Sequence, residues 1–405
     1  MGRDTRISGP LLQAALTAGL ASEGADVVDA GVLPTPGVAH VCAERGLPGA
    51  IVSASHNPFP DNGVKLFAIG GRKLSDDVER RVQTELVVAG SEPKVGADVG
   101  RITEDADAVA ASYAAHLANA LEGRAFDGLR VVLDCANGAS SALAGEVFRR
   151  AGAEVTVLHA QPDGTNINHG CGSTHPESLQ AAVVQHAADV GLAFDGDADR
   201  VLAVAPDGQL VDGDVMLALH AVDLRERGVL HGDALVVTVM SNLGLRLAMD
   251  AAGIEVVETK VGDRYVLDAL EARGLSLGGE QSGHVIFRDL ASTGDGLLTG
   301  LLLCDLVTRR GEPLDRLAAN AMTRFPQVLV NVPVPGRAAV DAAEHAEVRA
   351  AAGEVERELH GKGRVVLRPS GTEPLVRVMV EAPTEQEATA AARRIADAVT
   401  RTQGS

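Results

Sequence analysis

Three stretches of the chain repeat one order of apolar and polar positions. Gly24-Ala25-Asp26-Val27-Val28, Gly152-Ala153-Glu154-Val155-Thr156 and Gly253-Ile254-Glu255-Val256-Val257 each follow an Ala/Leu-rich amphipathic stretch and open a β-branched run. Such a junction predicts a helix that ends at glycine and passes directly into a strand. A polar, glycine-containing turn precedes each helix, at Gly2 to Gly9, Asp134 to Ser141 and Ser241 to Gly244. The second and third turns follow the apolar runs Leu129 to Leu133 and Ala234 to Val239. In the first copy no strand is expected before Gly2, because Met1 stands on the turn itself. Each copy reads as a βαβ unit with a right-handed crossover and a ligand loop at the carboxyl end of its strand.

Beyond these copies the pattern changes. Phe325 to Val334 reads as a strand, Ala338 to His360 as a helical stretch, Gly363 to Leu367 and Leu375 to Glu381 as strands, and Glu385 to Thr402 as a closing helix. The fold class expected is therefore α/β, with three βαβ-type domains carrying mixed sheets and a smaller C-terminal α+β domain. Pro/Gly punctuation puts seams near Gly100 to Thr103, Asp212 to Gly213 and Asn320 to Phe325, which divides the chain into domains 1–102, 103–212, 213–322 and 323–405.

Composition narrows the function. At 405 residues, 46% hydrophobic and 22% charged, the chain buries more than one core, and disorder or a fibre is excluded. The 36 Lys+Arg face 55 Asp+Glu, a net of −19, and the aromatics are Tyr113, Tyr265 and seven Phe without Trp. A nucleic-acid binder needs a basic face or stacking rings, so nucleic acid is not an expected partner. No window approaches the ~18 apolar residues of a membrane span, and the N-terminus opens no signal-peptide core. A cytoplasmic protein without a membrane partner is expected. Cys42, Cys135, Cys171 and Cys304 are scattered, which predicts reduced, buried thiols.

Four loops carry candidate chemistry. Ser53-Ala54-Ser55-His56-Asn57-Pro58 follows an apolar run, and Pro58 stops the strand so that the Ser55 hydroxyl is presented on a turn. His56 adjoins Ser55, but neighbours in an extended turn are expected to point apart, which argues against a Ser-His-Asp triad. Phe194-Asp195-Gly196-Asp197-Ala198-Asp199-Arg200 sets three carboxylates at alternate positions, a donor set for one hard cation, with Mg²⁺ the natural candidate. Arg200 and Pro206 stand where an EF-hand needs Gly and Glu. Gly278-Gly279-Glu280-Gln281-Ser282-Gly283-His284 lets backbone approach a ligand, with Glu280 and Ser282 placed to read vicinal sugar hydroxyls. Arg368-Pro369-Ser370-Gly371-Thr372-Glu373-Pro374 offers two hydroxyls, a glycine amide and an arginine fork as a phosphate nest, to which Arg377 adds a second fork. Arg3, Arg6, Lys65, Arg200, Lys260, Arg264, Arg368 and Arg377 fall in or beside these loops, so a positive cleft inside an acidic body is expected.

With the turn Gly2-Arg3-Asp4-Thr5-Arg6-Ile7-Ser8-Gly9, these motifs resemble the α-D-phosphohexomutase superfamily in order and spacing across nearly the whole chain. Gln281 and the run Val261-Gly262-Asp263-Arg264-Tyr265-Val266 are most similar to its bacterial phosphoglucosamine mutases. The resemblance implies four domains around a central cleft. It implies Ser55 as the phosphoserine, and Asp195, Asp197 and Asp199 together with Ser55 as Mg²⁺ ligands. It makes Lys65 the general acid/base candidate, His284 a second basic group near the sugar, and Arg200 a counter-charge. Glu280, Gln281, Ser282 and Arg264 would contact the sugar, and Arg368, Ser370, Gly371, Thr372 and Arg377 would hold the non-reacting phosphate.

The implied partner is a small-molecule sugar phosphate, with glucosamine 1,6-bisphosphate as intermediate, and no protein partner is indicated beyond a second copy of the chain. The implied reaction passes a phosphoryl group from Ser55 to glucosamine 6-phosphate and recovers it as glucosamine 1-phosphate forms. The family's opening strand, its GTDGxRG-type loop, and the helix and strand that follow have no counterpart here. The first domain is therefore expected to expose a sheet edge and apolar surface, with the start codon placed too late. Three rival readings differ in chemistry. One is a phosphoglucomutase or phosphomannomutase, and another is a non-catalytic sugar-phosphate binder. The third is a haloacid-dehalogenase-type phosphatase using Asp195, which would want Thr or Val where Asp199 stands.

Overall fold

The computed structural model describes residues 1–88, 93–334, 339–370 and 374–402. Its first unit runs β1 (Gly2–Arg3), α1 (Gly9–Ser22), β2 (Val27–Asp29), α2 (Thr35–Arg45), β3 (Gly49–Val52), β4 (Val64–Phe67) and α3 (Asp76–Val88), and β5 (Ile102–Glu104) returns to pair with β2. The second contains α4 (Ala106–Asn119), β6 (Arg130–Asp134), α5 (Ala144–Arg150), β7 (Glu154–Leu158), α6 (Glu177–Gln185), β8 (Val190–Phe194), β9 (Val201–Val204) and β10 (Leu210–Val211). The third contains α7 (Gly213–Glu226), β11 (Ala234–Thr238), α8 (Leu243–Ala251), β12 (Glu255–Thr259), α9 (Asp263–Arg273), β13 (Leu277–Gly279), β14 (Val285–Phe287), α10 (Gly296–Arg310) and α11 (Leu314–Ala321). The last contains β15 (Gln327–Pro333), α12 (Ala339–Glu344), α13 (Ala346–Leu359), β16 (Arg364–Pro369), β17 (Leu375–Glu381) and α14 (Glu385–Thr402).

The repeated junctions form as the pattern predicts. Gly24, Gly152 and Gly253 take φ of +89°, +99° and +67°, each just past the end of α1, α5 or α8. That left-handed turn lets the chain leave the helix and enter β2, β7 or β12. β6 pairs in parallel with both β7 and β8, and β11 with both β12 and β13, while β9 and β14 add antiparallel strands. Both sheets are thus mixed. The expected single helical stretch from Ala338 instead divides at His345 into α12 and α13.

One expectation about the start is corrected. Gly2 and Arg3 form a short strand parallel to Ile51 and Val52 of β3, so the first copy does carry a strand ahead of its turn. The Met1 carbonyl accepts from Ala30 N, and Arg3 bridges Val32, which joins this strand to the β2 side. β4 ends the β1-β3-β4 sheet, and Leu11 and Ile69 of this first unit are 72% and 66% exposed.

The first three units share one hydrophobic core, running from Ala30 to Met322, whereas the fourth has its own between the β15-β17-β16 sheet and α13 and α14. α10 is buried on nearly every side, with Leu297, Leu298, Leu301, Leu303 and Leu306 all in the core. It packs against α4, α7, β8 and β9. All four cysteines are free and buried, and among the described residues no helix is long and apolar enough to cross a membrane.

The shared core also buries His220 of α7, edge-on to Phe287, with no partner for its Nε2. Burial, with Arg309 and Arg227 nearby, lowers its pKa to about 4. A lowered histidine stays neutral in the fold but takes a proton when unfolded, so its contribution is present above pH 6.5 and is lost as pH falls toward 4. The expected loss is roughly 3 kcal/mol across that window. Thermal denaturation of His220→Leu should show a correspondingly flatter pH dependence than the parent, and an identical pH profile would contradict this.

Candidate active site

The Ser55 turn is built from two polar side chains and one arginine. At the end of β3, Ser53 Oγ donates to Asp4 Oδ2 at 2.7 Å and receives the Ser55 amide at 3.0 Å. Arg6 Nε donates to the same Asp4 oxygen at 2.8 Å, and its two terminal nitrogens reach the carbonyls of Ser55, Asn57, Pro58 and Asp61. Arg6 is 1% exposed, so it is a clamp on the turn and not the cleft cation expected from sequence. Ser55 itself takes φ +51°, which swings its hydroxyl back to within 3.4 Å of His56 Nδ1. The two neighbours therefore do not point apart. A triad is still not formed: among the described residues no carboxylate is hydrogen-bonded to His56, whose Nδ1 faces Arg200 Nη1 at 3.2 Å.

The acidic loop links β8 to β9 and meets that turn from the second unit. Ser55 Oγ donates to Asp195 Oδ2 at 2.6 Å across 140 residues of sequence. Gly196 makes the approach feasible, since a Cβ there would lie 2.6 Å from the Ser55 carbonyl oxygen. Asp197 Oδ2 accepts from Thr35 Oγ1 and Lys65 Nζ, and Asp199 Oδ2 accepts from Lys65 at 3.2 Å. Ligand oxygens of Asp195, Asp197 and Asp199 lie within 4.8 Å of one another, and Asp197 Oδ1 and Asp199 Oδ1 are buried without a hydrogen-bond donor. Buried carboxylate oxygens without donors are expensive unless a cation takes them, so the residues present fit a hard divalent ion.

Charge is distributed unevenly over the trio. Burial, then the charges of Asp199 and Asp197, raise the Asp195 pKa to about 7. Burial works the same way on Asp199, but Lys65, His284 and Arg200 outweigh it and hold that carboxyl well below its ordinary value. Burial would lower the Lys65 pKa, and Asp197 and Asp199 more than reverse this. Lys65 is thus held protonated as a counterion while those carboxylates carry no cation. Asp195 is fully buried, its Oδ1 receiving the Arg200 amide and its Oδ2 the Ser55 hydroxyl.

The third unit supplies the sugar-reading candidates. Glu280 Oε1 receives the Gly262 amide at 3.0 Å and is half-buried, while Ser282 is exposed beside its other oxygen. The Gln281 carbonyl accepts from Gly213 N across the seam to α7. Arg264 is half-buried at the start of α9, its amide donating to Asp263 Oδ1. His284 closes the Glu280 loop, just before β14. Its side chain is 1% exposed, its Nε2 receives the Gly294 amide at 3.0 Å, and its Nδ1 stands 3.7 Å from Asp199. It backs the Asp199 carboxylate and lines a pocket with Asp263 and Arg264. A Cβ on Gly294 would sit 2.5 Å from its ring, so only glycine permits that position.

In the fourth unit Arg368 and Arg377 stand directly opposite across β16 and β17, and the Ser370 amide bonds the Leu375 carbonyl. Gly371 and Thr372 lie outside the described residues. Like charges paired across a ladder destabilise it unless an anion lies between them. Arg364 and Glu381 fasten this unit to the third: Arg364 bonds Glu381 and the carbonyls of Val239 and Ser241, and Glu381 receives the Leu243 amide at the start of α8.

Comparison with known proteins agrees with this arrangement. Models of the four phosphoglucomutase/phosphomannomutase domains match in order: alpha/beta/alpha domain I over residues 1–89, domain II over 111–208, domain III over 212–325, and the C-terminal domain over 329–398. The chain belongs to that family. Phosphoglucosamine mutase of Thermobifida fusca (strain YX) is 56% identical over 402 residues, covering 98% of this chain and 88% of that protein. The Frankia alni enzyme of the same name is 57% identical over 400 residues, covering 98% and 87%. Among solved structures, a phosphoglucomutase/phosphomannomutase family protein from Burkholderia thailandensis superposes with a TM-score of 0.82 at 28% identity, covering 99% of this chain and 88% of that one. N-acetylphosphoglucosamine mutase of Aspergillus fumigatus, solved with GlcNAc-6P and magnesium, shares the fold at a TM-score of 0.71 and 22% identity, covering 91% and 93%.

Within this phosphohexomutase frame, several residues that shape the site escaped the sequence reading. Thr35 opens α2 and bonds Asp197, and Asn168 Nδ2 donates to the carbonyls of Ser55 and Asn57 at 2.9 and 3.1 Å. Tyr113 of α4 donates to Asp295, which caps α10 two residues from Gly294's neighbour Thr293. The prolines flanking Thr35 were the one local signal available, since they fix a helix start at a polar residue.

Proposed function

We propose that this chain interconverts glucosamine 6-phosphate and glucosamine 1-phosphate through phosphorylated Ser55 and a 1,6-bisphosphate intermediate. The observation that carries the reading is the 2.6 Å contact of Ser55 Oγ with Asp195, which puts a hydroxyl able to carry phosphate against a three-carboxylate site supplied by another unit. The relatives named phosphoglucosamine mutase support the choice of substrate. Bound by Asp195, Asp197 and Asp199, Mg²⁺ would neutralise charge developing on the phosphoryl oxygens.

The protein's own groups do the rest. Phosphoryl transfer through a loose transition state needs positioning and charge more than a strong base. The phosphorus–Oγ bond breaks as the sugar hydroxyl oxygen bonds phosphorus, and net, that hydroxyl's proton ends on Ser55 Oγ, restoring the serine hydroxyl that hydrogen-bonds Asp195 Oδ2. In the second half the other phosphate of the bisphosphate returns to Oγ and the proton retraces its path. Lys65 and Arg200 offset the charge of the phosphorylated serine, Glu280 and Ser282 read sugar hydroxyls, and Arg264 lies beside them. Arg368 and Arg377, with Ser370, Gly371 and Thr372, hold whichever phosphate is not reacting.

Two measurements test this. The kcat/KM for glucosamine 6-phosphate should exceed that for glucose and mannose phosphates, whereas a preference for either hexose would make the enzyme a phosphoglucomutase or phosphomannomutase, and no turnover of any would leave only a binder. Arg368→Ala should raise KM roughly 10- to 100-fold while Ser55 can still be phosphorylated. An unchanged KM would remove the fourth unit from the site.

A further inference from the structure

A second cluster of metal-ligating side chains lies in the second unit, apart from the reaction. Asp134 ends β6, His159 follows β7, and Cys171 precedes α6, yet their ligand atoms come within 4.8 Å of one another. Asp134 and Cys171 are wholly buried, and the His159 side chain is one-third exposed, which opens the cluster to solvent on one side. His159 Nδ1 stands 3.1 Å from Asp134 Oδ2 but out of line for a hydrogen bond, and that buried atom has no other partner. Asp134 also receives the amides of Ala136 and Gly172, and Cys171 Sγ is approached by Asn137 Nδ2 at 3.9 Å.

The donor chemistry separates this cluster from the catalytic one. Three carboxylates suit a hard cation, whereas one thiol, one imidazole nitrogen and one carboxylate suit a borderline-soft ion in tetrahedral coordination. We propose that Asp134, His159 and Cys171 form a second metal site, for a thiophilic divalent ion of the Zn²⁺ class, with solvent in the fourth position on the His159 side. Binding would displace the Cys171 thiol proton, which leaves as the ion takes its place. The site braces the active centre indirectly. The segment that follows Asp134 bonds the Gly196 carbonyl through the Ala139 amide, and the Ala136 carbonyl accepts from Asn168, whose side chain holds the Ser55 turn.

The test is a Co²⁺ titration of the full chain in excess Mg²⁺, read by thiolate-to-cobalt charge-transfer absorption in the near ultraviolet. One equivalent should saturate the band, and Zn²⁺ should displace it. Cys171→Ser should abolish the band and His159→Gln should weaken Co²⁺ binding by at least about tenfold, while Cys135→Ser and Asp195→Asn leave both unchanged. No band at saturating Co²⁺, or a band that survives Cys171→Ser, overturns the site. Should Cys171→Ser not fold, His159→Gln decides alone, because its side chain is partly exposed, and unchanged affinity there is the contrary result.

Discussion

Ser55→Ala is expected to lower turnover of glucosamine 6-phosphate by at least about 10⁴-fold, the scale of losing a covalent catalytic group. The fold should survive, because the alanine removes only the hydroxyl's hydrogen bond to Asp195 and its longer contact with His56, worth about 1 kcal/mol together. The arginine clamp and the Ser53–Asp4 contact do not use the Ser55 hydroxyl. Lost steady-state turnover with a melting temperature lowered by no more than a few degrees is therefore the expected pair of results. Turnover within tenfold of the parent would mean that the hydroxyl presented to Asp195 is not the group that carries phosphate.

Arg6→Met should cost about 3–5 kcal/mol of stability, since it leaves Asp4 buried without its counterion. Burial already raises the Asp4 pKa against the hydrogen bonds and charge of Ser53 and Arg6. The carbonyls of Ser55 and Asn57 keep the Asn168 donor, but those of Pro58 and Asp61 lose Arg6. The turn should loosen where Ser55 is carried, so kcat should fall with stability. Arg6→Lys should recover only part of either, because one ammonium cannot copy the planar fork. Urea denaturation reads the first effect and kinetics the second, and a variant with parental values of both would show that Arg6 is not the clamp.

What the chain reveals on inspection differs sharply between motifs and their surroundings. Gly24, Gly152 and Gly253 announced the helix-to-strand junctions because a left-handed exit is a local requirement that few residues meet. The Ser55 turn and the Asp195–Asp199 loop were equally legible, since their chemistry is written in adjacent residues. Which loops would meet was another matter. Ser55 touches Asp195, Thr35 touches Asp197 and Tyr113 touches Asp295 across more than a hundred residues, and periodicity carries no information about such pairings. Arg6 was misjudged because a charged side chain near a motif reads as a cleft residue, yet it is buried and acts on the backbone. Gly2 and Arg3 became a strand through pairing with β3, a tertiary effect that two residues cannot signal alone.

The central claim is that phosphate travels through Ser55, and single-turnover transfer of label tests it directly. Enzyme carrying radiolabelled phosphate on Ser55 would be mixed with unlabelled glucosamine 6-phosphate and quenched within one turnover. The label should leave Ser55 and appear first in glucosamine 1,6-bisphosphate. Label that stays on Ser55 while glucosamine 1-phosphate accumulates, or that departs only as inorganic phosphate, would contradict the account.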